Sequence, residues 1–226
     1  MMRFLVALLV AIAVCGCARF PSGGGGARTT RLIFTFTLAQ AVNQNFVYIV
    51  ALRPSTEDSP TTQGPIPVIA PPWGNGFVAG NCTHFVRWDV TQAPDYLLYA
   101  FQDPDLLNYI AVGIPVSYHL MEPGDRTFRF ELDLTQIVPE AMVDNYKSIQ
   151  INFLTMDNVP QGQGGSKIWD ALGDGRTPGG INQYITLPLK VSGFYDNARF
   201  QDLEPNGDCV DPSLDMIDWS VEIRPR

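Results

Sequence analysis

The chain has 226 residues, of which 46% are hydrophobic, 11% aromatic and 17% charged, a composition typical of a folded globular protein. The 23 acidic and 15 basic residues give a formal net charge of −8, and such a surface repels nucleic acid and anionic lipid head groups. We therefore expect no nucleic-acid partner. The 20 glycines and 18 prolines favour many strands joined by turns over long helices.

An apolar run near the start of the chain predicts export. Arg3 places a positive charge before the run from Phe4 to Val14. This run has the length of a signal-peptide core and is shorter than the roughly 20 residues that a membrane-spanning helix needs. The sequence therefore predicts an exported protein.

The run ends in Val14-Cys15-Gly16-Cys17, which resembles the lipobox of bacterial lipoproteins. The resemblance implies a signal peptide over residues 1–16 and lipidation of Cys17, because Gly16 is small enough for the peptidase site whereas Val14, which precedes Cys15, is bulky. It also implies a lipid-anchored protein of the bacterial cell envelope, at the outer membrane or the cell surface. An ordinary signal peptide cut nearby, or an uncleaved anchor, remains open as an alternative.

Residues 17–30 contain the glycine run from Gly23 to Gly26 and predict a flexible tether. Residues 31–226 form the predicted domain. Arg31 to Leu38 alternates apolar and polar side chains, as a half-buried strand does, whereas Asn45 to Leu52 is apolar on both faces and predicts a central strand. The excursion from Arg53 to Gly80 carries six prolines, which exclude a regular ladder there.

Further strands follow at short intervals. Period-two alternation is clearest in Arg126 to Leu134 and recurs in Ser148 to Met156. The last strand, Ile217 to Ile223, is expected to turn Ile217, Trp219, Val221 and Ile223 inward, while Ile110 to Leu120 carries Gly113 and Pro115 and suggests an edge. We expect an all-β fold, a single antiparallel β-sandwich of jelly-roll or immunoglobulin-like kind.

Two of these strands carry a resemblance to a known family. FRFELDL, over residues 128–134, and IQINFLTMD, over residues 149–157, resemble the later strands of carbohydrate-binding-module sandwiches of the family-9 type. The resemblance covers about 30 residues and implies a sandwich fold, but it transfers no binding residue to this chain.

Two cysteines remain beyond the lipobox, Cys82 and Cys209. In an exported protein such a pair is most simply a disulfide. Two free thiols or a shared metal site are the alternatives.

The loop from Gln201 to Asp215 is acidic and predicts a cation site. Asp202, Glu204, Asn206 and Asp208 place oxygen ligands at alternating positions, and Ca²⁺ prefers such ligands. The loop resembles the start of an EF-type loop but has Ser213 where a bidentate Glu is expected, so Asp211 and Asp215 are possible substitutes. No other cofactor is expected, and a solvated turn is the simpler reading.

Two tryptophans are candidate ligand-binding residues because they lie in or beside predicted loops. Trp73 follows two prolines, and Trp169 lies in a glycine-rich segment. Flat rings of this kind stack on sugars or anchor a protein partner, although closing the ends of the sandwich is their commoner fate.

No catalytic motif occurs, and the chain has only two histidines, so no catalytic residue is assigned. The sequence predicts a non-catalytic, lipid-anchored module that binds a glycan or an envelope protein. A structural lipoprotein that assembles through its edge strands, and a hydrolase that uses two carboxylates, are the alternatives.

Overall fold

The computed structural model describes residues 29–226. The predicted signal peptide over residues 1–16, the lipidation site Cys17 and most of the tether lie outside the described residues. The strands are β1 (Arg31–Leu38), β2 (Val47–Ser55), β3 (Pro65–Pro67), β4 (Val78–Gly80), β5 (His84–Trp88), β6 (Tyr96–Phe101), β7 (Tyr109–Gly113), β8 (Ser117–Tyr118), β9 (Thr127–Asp133), β10 (Ser148–Met156), β11 (Trp169–Ala171), β12 (Ile185–Pro188), β13 (Gly193–Asp196) and β14 (Met216–Arg224). Short 3₁₀ turns cover Leu134–Gln136, Glu140–Asn145 and Ala198–Phe200.

Two large antiparallel sheets pack face to face, which confirms the predicted all-β sandwich. The five-stranded sheet has the order β13-β14-β1-β9-β8. The seven-stranded sheet has the order β11-β10-β2-β5-β6-β7, and β12 also pairs with β10. The expectation that prolines exclude a regular ladder from residues 53–80 is wrong. Strand β2 runs to Ser55, and β3 and β4 pair as a separate two-stranded sheet that contacts β10. Among residues 29–226, no helix has the length and apolarity needed to cross a bilayer.

The main core lies between the two sheets and follows from the alternation in the sequence. In β1 and β9 the inward aromatic rings meet across the strand pair: Phe34 stacks on Phe130 with centroids 5.0 Å apart, and Phe36 on Phe128 at 4.5 Å. Stacked cross-strand pairs of this kind stabilise a sheet beyond the apolar area that they bury. From the opposite sheet, β2, β5 and β10 contribute their own inward faces to the same core.

The predicted inward face of the last strand is correct for three of its four residues. Trp219, Val221 and Ile223 are buried, but Ile217 is only half-buried. A β-bulge explains the difference, because the register with β1 shifts between Thr37 and Leu38 and leaves Ile217 without an opposite residue. Met216 takes the buried place instead.

A second core covers the outer face of the seven-stranded sheet. Ile49 and Ala51 of β2 and Leu154 of β10 turn outward and are buried under Phe77 and Ile181. This explains why β2 is apolar on both faces, as the sequence predicts for a central strand. The proline-rich excursion of residues 53–80 is therefore a cover over the sheet, with its own hydrophobic contacts.

Candidate functional site

A group of acidic side chains meets at one end of the sandwich, where the two sheets come together. Asp170 lies in β11 of the seven-stranded sheet, and Asp215 directly precedes β14 of the five-stranded sheet. Glu204 and Asp208 come from the acidic loop that leads into β14. The carboxylate oxygens of Asp170, Asp208 and Asp215 lie within 4.8 Å of one another. These four residues are called the carboxylate cluster.

Asp170 connects the two sheets through its carboxylate. Its oxygens accept hydrogen bonds from the backbone N–H of Ala171 at 3.0 Å and of Met216 at 2.8 Å. Beside it, the hydroxyl of Thr155 donates to the carbonyl of Leu214 at 2.6 Å. Backbone amides therefore hold Asp170 in one orientation, against the start of β14.

The acidic loop folds around the other aspartates in the same way. Asp215 accepts hydrogen bonds from the backbone N–H of Gly207 at 3.1 Å and of Cys209 at 3.2 Å. One oxygen of Asp208 accepts from the backbone N–H of Gly175 at 2.7 Å. Its other oxygen is buried and has no hydrogen-bond partner within the described residues.

Glu204 is the least compensated member of the cluster. Its backbone is clamped by Asn197, whose side-chain amide donates to the Glu204 carbonyl at 2.7 Å and accepts from its N–H at 2.9 Å. The residue is only 1% exposed, and neither carboxylate oxygen makes a hydrogen bond of good geometry in the described part of the chain. The nearest donor is the backbone N–H of Gly173, which lies close enough to lower the pKa of Glu204. Buried polar groups are nearly always paired, so two orphaned oxygens are unusual.

The cluster concentrates negative charge away from water. Burial raises the pKa of Asp170 well above its usual value, and the nearby charge of Asp208 raises it further. Burial also raises the pKa of Glu204 well above its usual value, helped by repulsion from Asp170 and Asp208. The pKa of Asp208 is raised as well, mainly by burial. Over residues 29–226, none of the ion pairs within 4.0 Å involves a cluster residue.

Of the four cation ligands predicted in the acidic loop, two are buried or half-buried and two are exposed. Asp208 meets Asp215, the predicted substitute, in the group with Asp170. Glu204 lies near enough for the charges of Asp170 and Asp208 to raise its pKa. Asp202 and Asn206 are exposed to solvent instead. The alternation of oxygen ligands does not hold because the loop is irregular, with a left-handed backbone at Asp202 (φ 54°).

Two further residues show the limits of the sequence pattern. Asp211, the other predicted substitute, accepts a hydrogen bond from the backbone N–H of Ser213 and serves the turn. Asp170 was not predicted at all, because it is 34 positions before Glu204 in the sequence. The available signal was a lone acid in the apolar segment Ile168-Trp169-Asp170-Ala171-Leu172.

The predicted disulfide is wrong, because Cys82 and Cys209 are both free thiols in this structure. The sulfur of Cys82 lies 3.6 Å from the carbonyl of Leu52, and that of Cys209 lies 3.6 Å from the carbonyl of Trp169. Trp169 lies across β10 from Val47, five residues from Leu52 along β2. Val47 and Leu52 are therefore about 16 Å apart along the strand. A disulfide spans roughly 7 Å between Cα atoms, so the two cysteines, which lie beside Leu52 and Trp169, are too far apart to form one.

The two candidate tryptophans lie in different surroundings. Trp73 is 4% exposed, so the ring of this candidate ligand-binding residue is not open to solvent. Its indole N–H donates to the carbonyl of Gly164 at 2.9 Å, and the ammonium of Lys167 covers the ring at 5.2 Å from its centroid. Trp169 is half-buried and borders a surface depression of about 210 Å³ beside Asp208.

A second candidate site is the most exposed apolar surface of the sandwich. It is formed by β7, β8 and the residues beside them, and is called the apolar edge. Its exposed large apolar side chains are Leu107, Tyr109, Ile110, Val112, Ile114, Val116 and Leu120. Seven exposed apolar side chains within residues 107–120 are a concentration that often marks a site of contact with a partner.

The backbone of the apolar edge is also free on one side. Among residues 29–226, strand β7 pairs only with β6, and it ends the seven-stranded sheet. Its residues are exposed on both faces, and residues 106–118 carry no ionisable side chain except Tyr109 and Tyr118. Natural edge strands are usually protected by charge, by proline within the strand or by a covering loop, and β7 has no charge and no proline.

Comparison of the chain with protein-family models, with curated proteins and with solved structures found no match.

Proposed function

We propose that this chain is a lipid-anchored protein of the bacterial cell envelope, attached through Cys17. In this proposal its sandwich is a non-catalytic module that binds an envelope protein through the apolar edge. The exposure of the uncharged edge strand β7 is the observation that supports the protein partner. An extended segment of a partner would add a strand beside β7 and place its apolar side chains against Ile110 and Val112.

A glycan ligand is less well supported by the same structure. Stacking on a sugar requires an open aromatic face, and the ring of Trp73 is covered by Lys167. The hydrolase alternative needs two carboxylates that a substrate can reach. Asp170 and Glu204 are each only 1% exposed, which favours a role within the fold for the carboxylate cluster.

The anchor is tested by Cys17→Ala. The net charge of −8 offers no electrostatic attraction to an anionic membrane, so loss of the lipid should move the protein from the membrane fraction to the soluble fraction. Continued sedimentation of the variant with membranes would contradict the lipoprotein assignment.

The apolar edge is tested by the double variant Ile110→Lys and Val112→Lys. Both side chains are exposed (52% and 47%), so the stability of the sandwich should change by less than about 0.5 kcal/mol. Val191→Lys is the control, because Val191 is an equally exposed valine (57%) outside the apolar edge. In crosslinking on intact cells, the adducts formed by wild type and the control should be lost from the double variant.

Equal crosslinking by all three proteins would refute the edge as the binding surface. Light scattering after size-exclusion chromatography distinguishes self-assembly of this chain from the binding of a different envelope protein. A wild-type dimer that becomes a monomer in the double variant would mean that a second copy occupies the apolar edge.

A further inference from the structure

We propose that the carboxylate cluster is a calcium site that joins the two sheets at one end of the sandwich. Asp170, Glu204, Asp208 and Asp215 would supply the protein ligands. The site is independent of the apolar edge, and its failure would leave the proposed function untouched.

The strongest observation is the pair of orphaned oxygens on Glu204. A carboxylate on a residue that is 1% exposed, with only the backbone N–H of Gly173 near it and no hydrogen bond of good geometry, is costly to keep buried. Another buried oxygen without a partner belongs to Asp208, whose carboxylate lies within 4.8 Å of those of Asp170 and Asp215. A cation placed among the four carboxylates would supply the missing partner to both residues.

The chemistry of the donors selects the kind of cation. The three aspartates offer oxygen atoms alone, and no histidine nitrogen or cysteine sulfur within the described residues joins their group. Such a set suits a hard cation rather than zinc or copper. Calcium fits better than magnesium because it accepts carboxylates in flexible geometry, whereas magnesium retains several waters that a buried cluster has little room for.

The hydrogen bonds of the cluster leave it able to bind. Backbone N–H groups of Met216, Gly207 and Gly175 orient Asp170, Asp215 and Asp208. Each carboxylate oxygen has a second lone pair, so these amides position the ligands without consuming them. The depression beside Asp208, which is lined by Trp169, Gly175 and Val210 among others, offers a path from solvent.

Thermal unfolding of the full-length protein, purified in detergent and stripped with EDTA, tests the site. Calcium at about a hundredfold excess over its Kd should raise the Tm by about 5–10 °C for a chain of this size. Calorimetric titration should give one calcium per chain, and magnesium at the same concentration should give less than half the shift in Tm.

Glu204→Gln and Asp208→Asn each remove one charge with little change of shape, and each should weaken calcium binding at least tenfold. Asp202→Asn is the matched control, because Asp202 lies in the same loop but is exposed. It should bind calcium as the wild type does. Circular dichroism confirms that the variants fold, and terbium luminescence sensitised by Trp169 gives a second measure of occupancy.

The proposal is overturned if calcium produces neither heat nor a shift in Tm with the wild type. It is equally overturned if Asp202→Asn loses binding while Glu204→Gln keeps it, since the site would then be the exposed loop. A magnesium response as large as that of calcium would refute the choice of cation.

Discussion

Asn152 is a single buried side chain on which the outer cover of the sandwich depends. It lies in the middle of β10 and has no exposed surface. Its amide donates to the carbonyl of Pro65 at 3.0 Å and to that of Gln183 at 2.8 Å, and its oxygen accepts from the N–H of Leu172 at 3.2 Å. One residue therefore holds three segments that are distant in sequence.

Replacing Asn152 with alanine would leave two buried groups unpaired, the carbonyl of Pro65 and the N–H of Leu172. Each costs about 1–3 kcal/mol. Water can reach the carbonyl of Gln183 because that residue is exposed, so its loss adds only about 1 kcal/mol. We expect Asn152→Ala to lower the free energy of unfolding by about 3–5 kcal/mol.

Asn152→Asp is a sharper variant because it keeps the shape and the acceptor for Leu172. It replaces the donor with an oxygen that faces two carbonyl oxygens, so it should destabilise at least as much as alanine. Asn158→Ala is the control, because Asn158 is exposed and should cost less than about 0.5 kcal/mol.

Urea unfolding, followed by the fluorescence of the 4 tryptophans, measures these differences from the midpoint at a constant slope. A loss below about 1 kcal/mol for Asn152→Ala would refute the reasoning, since the three segments would then be held by their apolar contacts alone. A stable Asn152→Asp would refute the assigned direction of the hydrogen bonds.

Three further predictions concern His84, Cys82 and Gly80. Burial lowers the pKa of His84 to about 4. Since His84 of the unfolded chain takes up its proton near pH 6.5, the free energy of unfolding should fall between pH 6.5 and 4 by no more than about 3 kcal/mol. The difference in Tm between wild type and His84→Gln across this pH range measures the effect. Cys82 is buried, and burial raises its pKa to about 12, so a reducing agent should leave the Tm unchanged and maleimide should modify Cys82 only after unfolding. Gly80 has φ +74°, and an added Cβ would lie 2.2 Å from a backbone carbonyl oxygen. Gly80→Ala should therefore lower the free energy of unfolding in urea by about 2–4 kcal/mol. Gly74→Ala is the control and should cost about 1 kcal/mol, because Gly74 also has a positive φ but an added Cβ there would contact nothing.

Period-two alternation is a local property, and for that reason the sequence by itself predicted the long strands and the class of fold, but not the short ladder of β3 and β4. In β1 and β9 every second side chain is apolar, and the structure buries those side chains between two sheets. The apolar character of both faces of β2 likewise indicated a strand with cores on both sides. The lipobox motif ending at Cys17 is also local, and it carries the predicted anchor.

Contacts between distant segments were decided only by the tertiary structure. Asp170 meets Asp215 because β11 and the start of β14 reach the same end of the sandwich, and nothing in the 44 positions between them indicates this. Trp73 is buried because the distant segment of residues 162–167 packs on it, through the carbonyl of Gly164 and the ammonium of Lys167. Cys82 and Cys209 stay apart because strand register places Cys82 beside Leu52 and Cys209 beside Trp169, which lies across β10 from Val47. Alternation gives the face of each side chain, whereas register and loop path decide which side chains meet.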